Sequence, residues 1–498
     1  MTLLAASADD IDTSDQLTMA SAFQKAFIAN GSNLKISDFI NTKLTITALT
    51  TAPTRGSIVT QDTSDATMIV DFVNTAKTMI YGYVTSGTFD TTNTLSGGSM
   101  DPETKVPSAV TSNPHWYDWT VYQGDADTYG AMPEKAYLIC VYRGRLTLAG
   151  NPRYPNQWFM SRTANPFDWL YGADDPMSAV AGNNADAGQC PDIIRSLISF
   201  HDDYLIFGCA STIWILRGDP VAGGSLDNLS DTTGMFGSDS WCFDDDRNLY
   251  FWGSGGIYKI EANFSGITNL TETLLPDIID DEAADPTTHR ITMGFDKKRH
   301  GLNICITVLA TGVNSNYFYS FKTRGFFPES FPEECGAYSL FYYDANDTTY
   351  ADLLVGCKDG YIRKFLRTAK DDDTGVGTEA ISSYAAYPIT PMAEEDTEGK
   401  LAEMVFDLSG GAADGTFSDT DGVTYSLFKG DDAETVLEDI IDGADAFKTA
   451  ALTGTGRKNK IRPRMRGTYM GLKLENSTAS QTWSMNKVLF NTRRAGKA

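Results

Sequence analysis

Strand-length apolar runs, each closed by a short polar or glycine turn and followed by a second run, dominate the chain. Ala136–Tyr142 turns at Arg143-Gly144 into Arg145–Ala149. Tyr204–Cys209 turns at Ala210-Ser211 into Thr212–Leu216, and Asn248–Trp252 turns at Gly253–Gly256 into Ile257–Ile260. Arg290–Phe295 reaches Leu302–Val308 through Asp296-Lys297, and Ala351–Cys357 reaches Tyr361–Phe365 through Lys358–Gly360. β-Branched and aromatic residues fill the runs, so each pair predicts a β-hairpin. The pairs recur roughly every 40–55 residues, the period of a propeller blade. Tyr204–Phe207 and Ile213–Leu216 are apolar almost without alternation. That fits strands buried on both faces between neighbouring blades; stacked sandwiches would show cleaner alternation. Only Asp15–Ile28 and Ala433–Phe447 come near an amphipathic helix, and both are short and interrupted.

The expected fold class is therefore all-β: a β-propeller core of five to seven blades, an inserted small β subdomain and a C-terminal β-sandwich-like domain. Residues 1–54 contribute to the propeller, 55–129 form the insert, 130–370 the core, 371–380 an acidic linker and 381–498 the C-terminal β domain with a basic tail. Strands are expected in the insert near Thr67–Phe72 and Met79–Val84. In the last domain they are expected near Ala402–Leu408, Thr424–Phe428, Tyr469–Leu474 and Trp483–Phe490.

Charge adds a second pattern. The 498 residues are 42% hydrophobic and carry a net charge of −25, so the chain folds and as a whole repels nucleic acid and anionic membrane. Yet Arg457–Ala498 alone carries +10, leaving −35 on the rest. Arg457, Lys458, Lys460, Arg462, Arg464, Arg466, Arg493 and Arg494 make up most of it, and Arg462, Arg464 and Arg466 alternate as residues sharing one strand face do. They read either as a surface that docks on the acidic surface of a neighbouring subunit, or as a phosphate-facing patch. No run approaches the roughly 20 apolar residues of a membrane helix, and Met1–Asp10 does not look like a secretory signal. The seven cysteines are scattered and never in a Cys-x-x-Cys pair, so small buried thiols in a reducing compartment are expected.

The search for catalytic chemistry is mostly negative. There is no phosphate-binding loop, dinucleotide fingerprint or His-Glu-x-x-His, and Gly97–Asp101 fails as a nucleophile elbow. His201 beside Asp202-Asp203 falls at a turn, and Asp244–Asp246, Asp280–Glu282 and Asp371–Asp373 read as solvated loops. Asp419-Thr-Asp421-Gly422 looks like part of a calcium loop, but Phe417 at the first ligand position excludes an EF-hand. No cofactor or metal is expected. Arg143–Gly150 followed by Asn151–Arg162 and Asn165–Trp169 is a rigid, aromatic and proline-rich connection. Trp158 and Trp169 there would either close a blade or present a contact surface, including one for sugar.

Arg143–Trp169, Ile198–Gly208 with Thr212–Gly218, and Asp246–Ile260 together resemble tailed-phage virion proteins. The nearest group is the propeller-bearing tail hub or nozzle proteins of short-tailed phages, similar to packaged-DNA stabilisation proteins. The likeness covers roughly residues 136–370; Phe23–Lys35, Gly56–Gln61 and Ala66–Phe72 also read like phage structural proteins. The resemblance implies a virion assembly part without a catalytic motif. It would form a ring of copies, commonly sixfold, that extends the channel below the portal and holds back packaged DNA without sequence specificity. Its partners would be other copies, the portal or head-to-tail adaptor and other tail proteins. The rival readings are an adhesin or baseplate propeller that holds a host glycan, and a glycan-cleaving propeller enzyme.

Overall fold

A computed structural model describes residues 11–12, 16–100, 104–172, 175–366, 369–393, 397–409, 420–452 and 456–497. The chain divides into two compact units, Met1–Ile306 with Tyr317–Phe327, and Thr307–Asn316 with Pro328–Ala498. The fold is all-β and propeller-like, built on a series of antiparallel meander sheets of the blade type.

The first blade comprises Thr18–Ala22, Lys25–Ala29 and Leu34–Asp38, completed by His115–Asp118 after an excursion. The second comprises Leu138–Tyr142, Arg145–Asn151, Tyr154–Met160 and Val180–Ala181. The third is Ile194–Phe200, Tyr204–Cys209, Ile213–Arg217 and Ser225–Ser230; the fourth is Trp241–Phe243, Leu249–Gly253, Gly256–Ile260 and Ile267–Asn269. The division between units falls within the fifth, His289–Asp296, Gly301–Val308, Asn314–Ser320 and Gly325–Glu329. A sixth, of three strands, lies in the second unit: Ala337–Tyr343, Asp352–Cys357 and Ile362–Lys364. Within the first unit the leading strands of successive blades pack on one another: Thr18–Ala22 on Leu138–Tyr142, the latter on Ile194–Phe200, and Trp241–Phe243 on His289–Asp296. Within this unit the leading strand of a blade is thus the innermost.

The near-continuous apolar runs have a direct structural cause. In Tyr204–Cys209, Leu205, Phe207 and Cys209 join the core shared with the second blade, beside Trp158 and Met160. Ile206 points the other way, into the core shared with Leu249 and Phe251 of the fourth. Each such buried side chain stabilises the stack by about 1.5–3 kcal/mol, so both faces must be apolar. The segment Asp15–Ile28, one of the two helix-like stretches, instead holds two strands in its described residues, Thr18–Ala22 and the start of Lys25–Ala29. Phe23 and Gln24 take φ of 51° and 58°, the left-handed pair that closes a two-residue hairpin between Ala22 and Lys25.

The insert is a six-stranded sheet in the order Leu95–Gly97, Ile58–Gln61, Thr67–Val73, Met79–Ser86, Thr42–Thr45, Ala109–Thr111. Its strands run from Thr42 to Thr111, so the sheet starts ahead of residue 55 and ends before 129. The aromatic connection packs into its core: Phe167 stacks on Phe72 at 4.6 Å between ring centroids, and Trp119 and Trp169 both donate their indole N–H to the Pro166 carbonyl.

In the second unit, the expected acidic linker is a short hairpin, Asp371–Asp373 paired with Thr378–Ala380. Two sheets follow and bury a common core, as a β-sandwich does. One has the order Ser383–Pro391, Tyr469–Asn476, Val423–Gly430, Lys448–Leu452. In the other, Thr397–Leu408 pairs with Gly456–Ile461 and Met465–Gly467 along one edge and with Met485–Lys497 along the opposite edge. Leu401, Met404 and Phe406 of that sheet meet Tyr425, Leu427, Leu472 and Leu474 of the first. The helix Ala433–Asp442 is capped by Asp432, whose carboxylate accepts from Thr435 N at 2.8 Å, and ends at Gly443 (φ 66°), short of Phe447. Among the described residues, no helix is long and apolar enough to cross a membrane.

Candidate functional site

The outer face of the second sandwich sheet gathers Lys460, Arg466 and Arg493 of the predicted cations, whereas Arg462 and Arg464 fall between strands, Arg464 at φ 55°, so the expected single strand face for Arg462, Arg464 and Arg466 does not form. Directly opposed residues of an antiparallel pair share a face, with Cβ atoms about 4.5–5.5 Å apart. Lys400, on the central strand, is opposed by Arg466 on one side and by Arg493 on the other, which sets three cations in a row across the sheet. Farther along this face Val405 lies between Lys460 and Leu489, and Asp407 opposes Lys487. Glu403 is a carboxylate set among these cations, 2.7 Å from Lys460 Nζ and 3.5 Å from Arg462 Nε. The hydrogen bond from Lys460, helped by Arg462, holds its carboxyl below the usual range.

Arg462, Arg464 and Arg466 are all exposed, while Met465 and Gly467 between and after them are buried. Arg494 is exposed and opposes Gly399, one residue out of the cationic row. Arg457 and Lys458 lie outside the residues whose side chains are described. The final strand, Met485–Lys497, pairs on one edge only among the described residues. Residues 489–494 are all exposed, including Leu489 and Phe490 at 43% and 37%.

The two tryptophans do not belong to this or any surface. Trp158 and Trp169 are fully buried, with their indole N–H groups donated to the carbonyls of Gly188 and Pro166. They sit inside hydrophobic cores and present no contact surface. Sequence reasoning missed Lys400 and did not single out Lys487. Lys400 lies far from the basic tail in sequence, and only strand register brings it there.

A second feature lies in the first unit, where segments leading into the innermost strands converge on a cleft of about 310 Å³. Gln16, Tyr137, Asn151, Arg195, Phe236 and Pro286 are among its walls. Beside it, Gln16 donates its side-chain amide to the Asp239 carboxylate. Burial pushes Asp239 up to about 6, against the opposing pull of Arg290 and of the Gln16 hydrogen bond. A third feature, a cavity of about 540 Å³, adjoins an ionic joint between the first blade and the insert. There Lys25 Nζ lies 2.5 Å from Asp71 and 3.9 Å from Asp38, and Arg55 adds a 2.9 Å contact to Asp71. Burial pushes Asp71 upward, but Lys25 and Arg55 outweigh it and leave the carboxyl low.

The other sequence candidates are structural. Asp244 accepts from Asn248 N and Nδ2, each at 2.8 Å, and from the Tyr250 hydroxyl at 3.1 Å, which organises its turn. His201 (φ 55°) caps the hairpin Phe200–Tyr204 and meets Phe200 edge-on. Asp421 pairs with Lys370 at 2.9 Å and accepts from Thr482 N, so its carboxylate is spoken for, whereas Asp419 lies outside the described residues. All seven cysteines are buried and unbridged. Among the described residues, no three His, Cys, Asp or Glu side chains cluster as metal ligands would.

No protein-family model matches the chain, and no curated protein matches it. Among solved structures, the extracellular domain of a hybrid two-component system from B. thetaiotaomicron is similar at 11% identity and a TM-score of 0.33. That match covers 78% of this chain and 45% of the other, so the chain spans under half of that protein. Oligogalacturonate lyase from Vibrio parahaemolyticus matches at 9% identity and a TM-score of 0.23, over 72% of this chain and 86% of that one. The endosialidase of phage phi92 matches at 10% and 0.22, over 82% and 68%. At such scores none of them bears on what this chain does.

Proposed function

We propose that the chain is a structural component of a phage tail or neck, a hub or nozzle protein whose copies form a ring below the portal. The ring extends the DNA channel and retains packaged DNA. The observation that carries this reading is the cationic row Arg466–Lys400–Arg493 on an open-edged sheet, in a chain whose residues before Arg457 sum to −35. Opposed like charges repel, and an acidic surface on a neighbouring copy relieves that repulsion while fixing orientation. Such a contact joins two different surfaces, and contacts of that kind close into rings when the rotation between copies is right. The acidic remainder of the chain keeps DNA from adhering to a channel wall. The resemblance of residues 136–370 to hub and nozzle proteins points the same way.

The test is negative-stain imaging and mass photometry of the full chain, alone and with purified portal. The parent should form rings, and the triple reversal Lys400→Glu, Arg466→Glu, Arg493→Glu should abolish them. A parent that stays monomeric even with portal would overturn the proposal, as would rings unaffected by the reversal.

A further inference from the structure

We infer that the cleft at the heads of the innermost strands binds a hydroxy-carboxylate of monosaccharide size, with its carboxylate taken by Arg195. At about 310 Å³ the cleft sits at the lower end of the roughly 300–1,000 Å³ typical of small-molecule sites. Two β-bulges open on it. In the second blade the register slips between Ala149 and Asn151, leaving Gly150 at φ 69°; in the third it slips between Ile194 and Ser196, leaving Arg195. A bulge re-aims a side chain out of the strand's alternation, and both Gly150 and Arg195 line the cleft.

Arg195 makes no hydrogen bond or ion pair among the described residues, although two carboxylates lie within its electrostatic reach. Both are already engaged. Asp192 accepts from Ile193 N and Ser211 N, each at 2.7 Å, and from Ser211 Oγ at 2.8 Å. Asp285 accepts from Thr287 N at 2.7 Å and Thr287 Oγ1 at 2.6 Å. The guanidinium therefore presents an unused fork of donors, which a carboxylate fits with two parallel bonds. The two fixed acids also select among anions. Each repels a dianion twice as strongly as a monoanion, which favours a carboxylate over a phosphate monoester.

The rest of the cleft suits a small hydroxylated ring. Tyr137 is seated against Gly31, where an added Cβ would fall 2.3 Å from Tyr137 Cε1, and is still 39% exposed. With Pro152 and Pro155 it offers the flat apolar surface on which the C–H face of a sugar ring rests, while Ser238 supplies a polar rim.

The experiment is saturation-transfer NMR with calorimetry on the full chain. The probes are glucose, glucuronate and glucose 6-phosphate, alike except at carbon six, with galacturonate and N-acetylneuraminate as further acids. At least one acid should bind, with glucose and the phosphate about tenfold weaker or worse, and Arg195→Gln should lower that affinity about tenfold or more while Arg195→Lys restores part of it. The inference is overturned if no acid binds at millimolar concentration, if the phosphate binds as well as the acid, or if Arg195→Gln binds like the parent. Should Arg195→Gln fail to fold, Tyr137→Ala decides: a matching loss supports the site and unchanged binding overturns it.

Discussion

Arg145 is the side chain whose removal gives the sharpest reading of how the blades hold their connections. It opens the second strand of the second blade, just past the left-handed pair Arg143-Gly144, and is fully buried. Nη1 donates to the carbonyls of Ser161 at 3.2 Å, Met177 at 3.4 Å and Ser178, and Nη2 to that of Pro176 at 2.9 Å. Asp219 approaches to 3.8 Å. Arg145→Met keeps the apolar stem and removes the donors. The Met177 carbonyl still accepts from Thr163 N, so the loss falls on Ser161, Pro176 and Ser178. At about 1–3 kcal/mol for each buried acceptor left unpaired, offset by relief of the buried charge, the net cost is about 3–5 kcal/mol. The partly exposed Asp219 contact adds at most about 1 kcal/mol. Because a chain with two units need not unfold in one step, urea unfolding should be paired with hydrogen exchange over residues 161–178. The midpoint should fall and exchange there should rise, with Arg145→Lys intermediate because one ammonium cannot fan across the same carbonyls. A shift under about 1 kcal/mol with unchanged local exchange would refute the reasoning.

Further outcomes follow from the same geometry. Asp239, raised from 3.8 to about 6, keeps a proton in the folded state that the unfolded chain has lost between those values. Its stabilising contribution is therefore full at low pH and drains as pH rises through about 4–6; Asp239→Asn should remove that slope and gain up to about 3 kcal/mol on the parent at pH 7, by urea titration across pH. Lys25→Met leaves the buried Asp38 and the half-buried Asp71 with only the Arg55 contact to Asp71 among these ion pairs, and should cost about 3–5 kcal/mol, read as earlier proteolysis of the insert. Raising sodium chloride from low to near-molar concentration should stabilise the isolated chain's C-terminal sandwich, by screening the Arg466–Lys400–Arg493 row, while dissociating rings; melting and mass photometry moving in the same direction would contradict the assignment of that row.

The blades were legible because burial on both faces writes an almost unbroken apolar run, and because Arg143-Gly144 and Lys358–Gly360 carry turn chemistry in the sequence itself. Asp15–Ile28 misled because its apolar residues, Ala20, Phe27 and Ile28, suit helical spacing as well as strand alternation, and only the left-handed Phe23-Gln24 turn separates the two. Trp158 and Trp169 were open to two readings because a proline-rich aromatic connection suits a contact surface as well as a core, and burial decides for the core. The cationic face was half legible. Its tail residues stand out by charge, whereas Lys400 enters by register. The cleft was not legible at all, since Gln16, Tyr137, Arg195, Phe236 and Pro286 are brought together only by stacking successive blades.

Cations on an exposed sheet have a simpler use than binding: on an edge strand they discourage unwanted pairing between chains. Lys487, Arg493 and Arg494 on the final strand fit that use by themselves. Lys400 does not. It sits on the central strand, paired on both sides, where a charge guards no edge and where opposed arginines cost about 0.2–1 kcal/mol each. The other sandwich sheet protects its own edge differently, with Pro388 and Pro391 in the strand Ser383–Pro391, which withdraw backbone donors without adding charge. A domain that already blunts one edge with proline has no need of a repelling row in the middle of its second sheet for the same end. On the proposed reading the row is half of a contact whose other half is acidic.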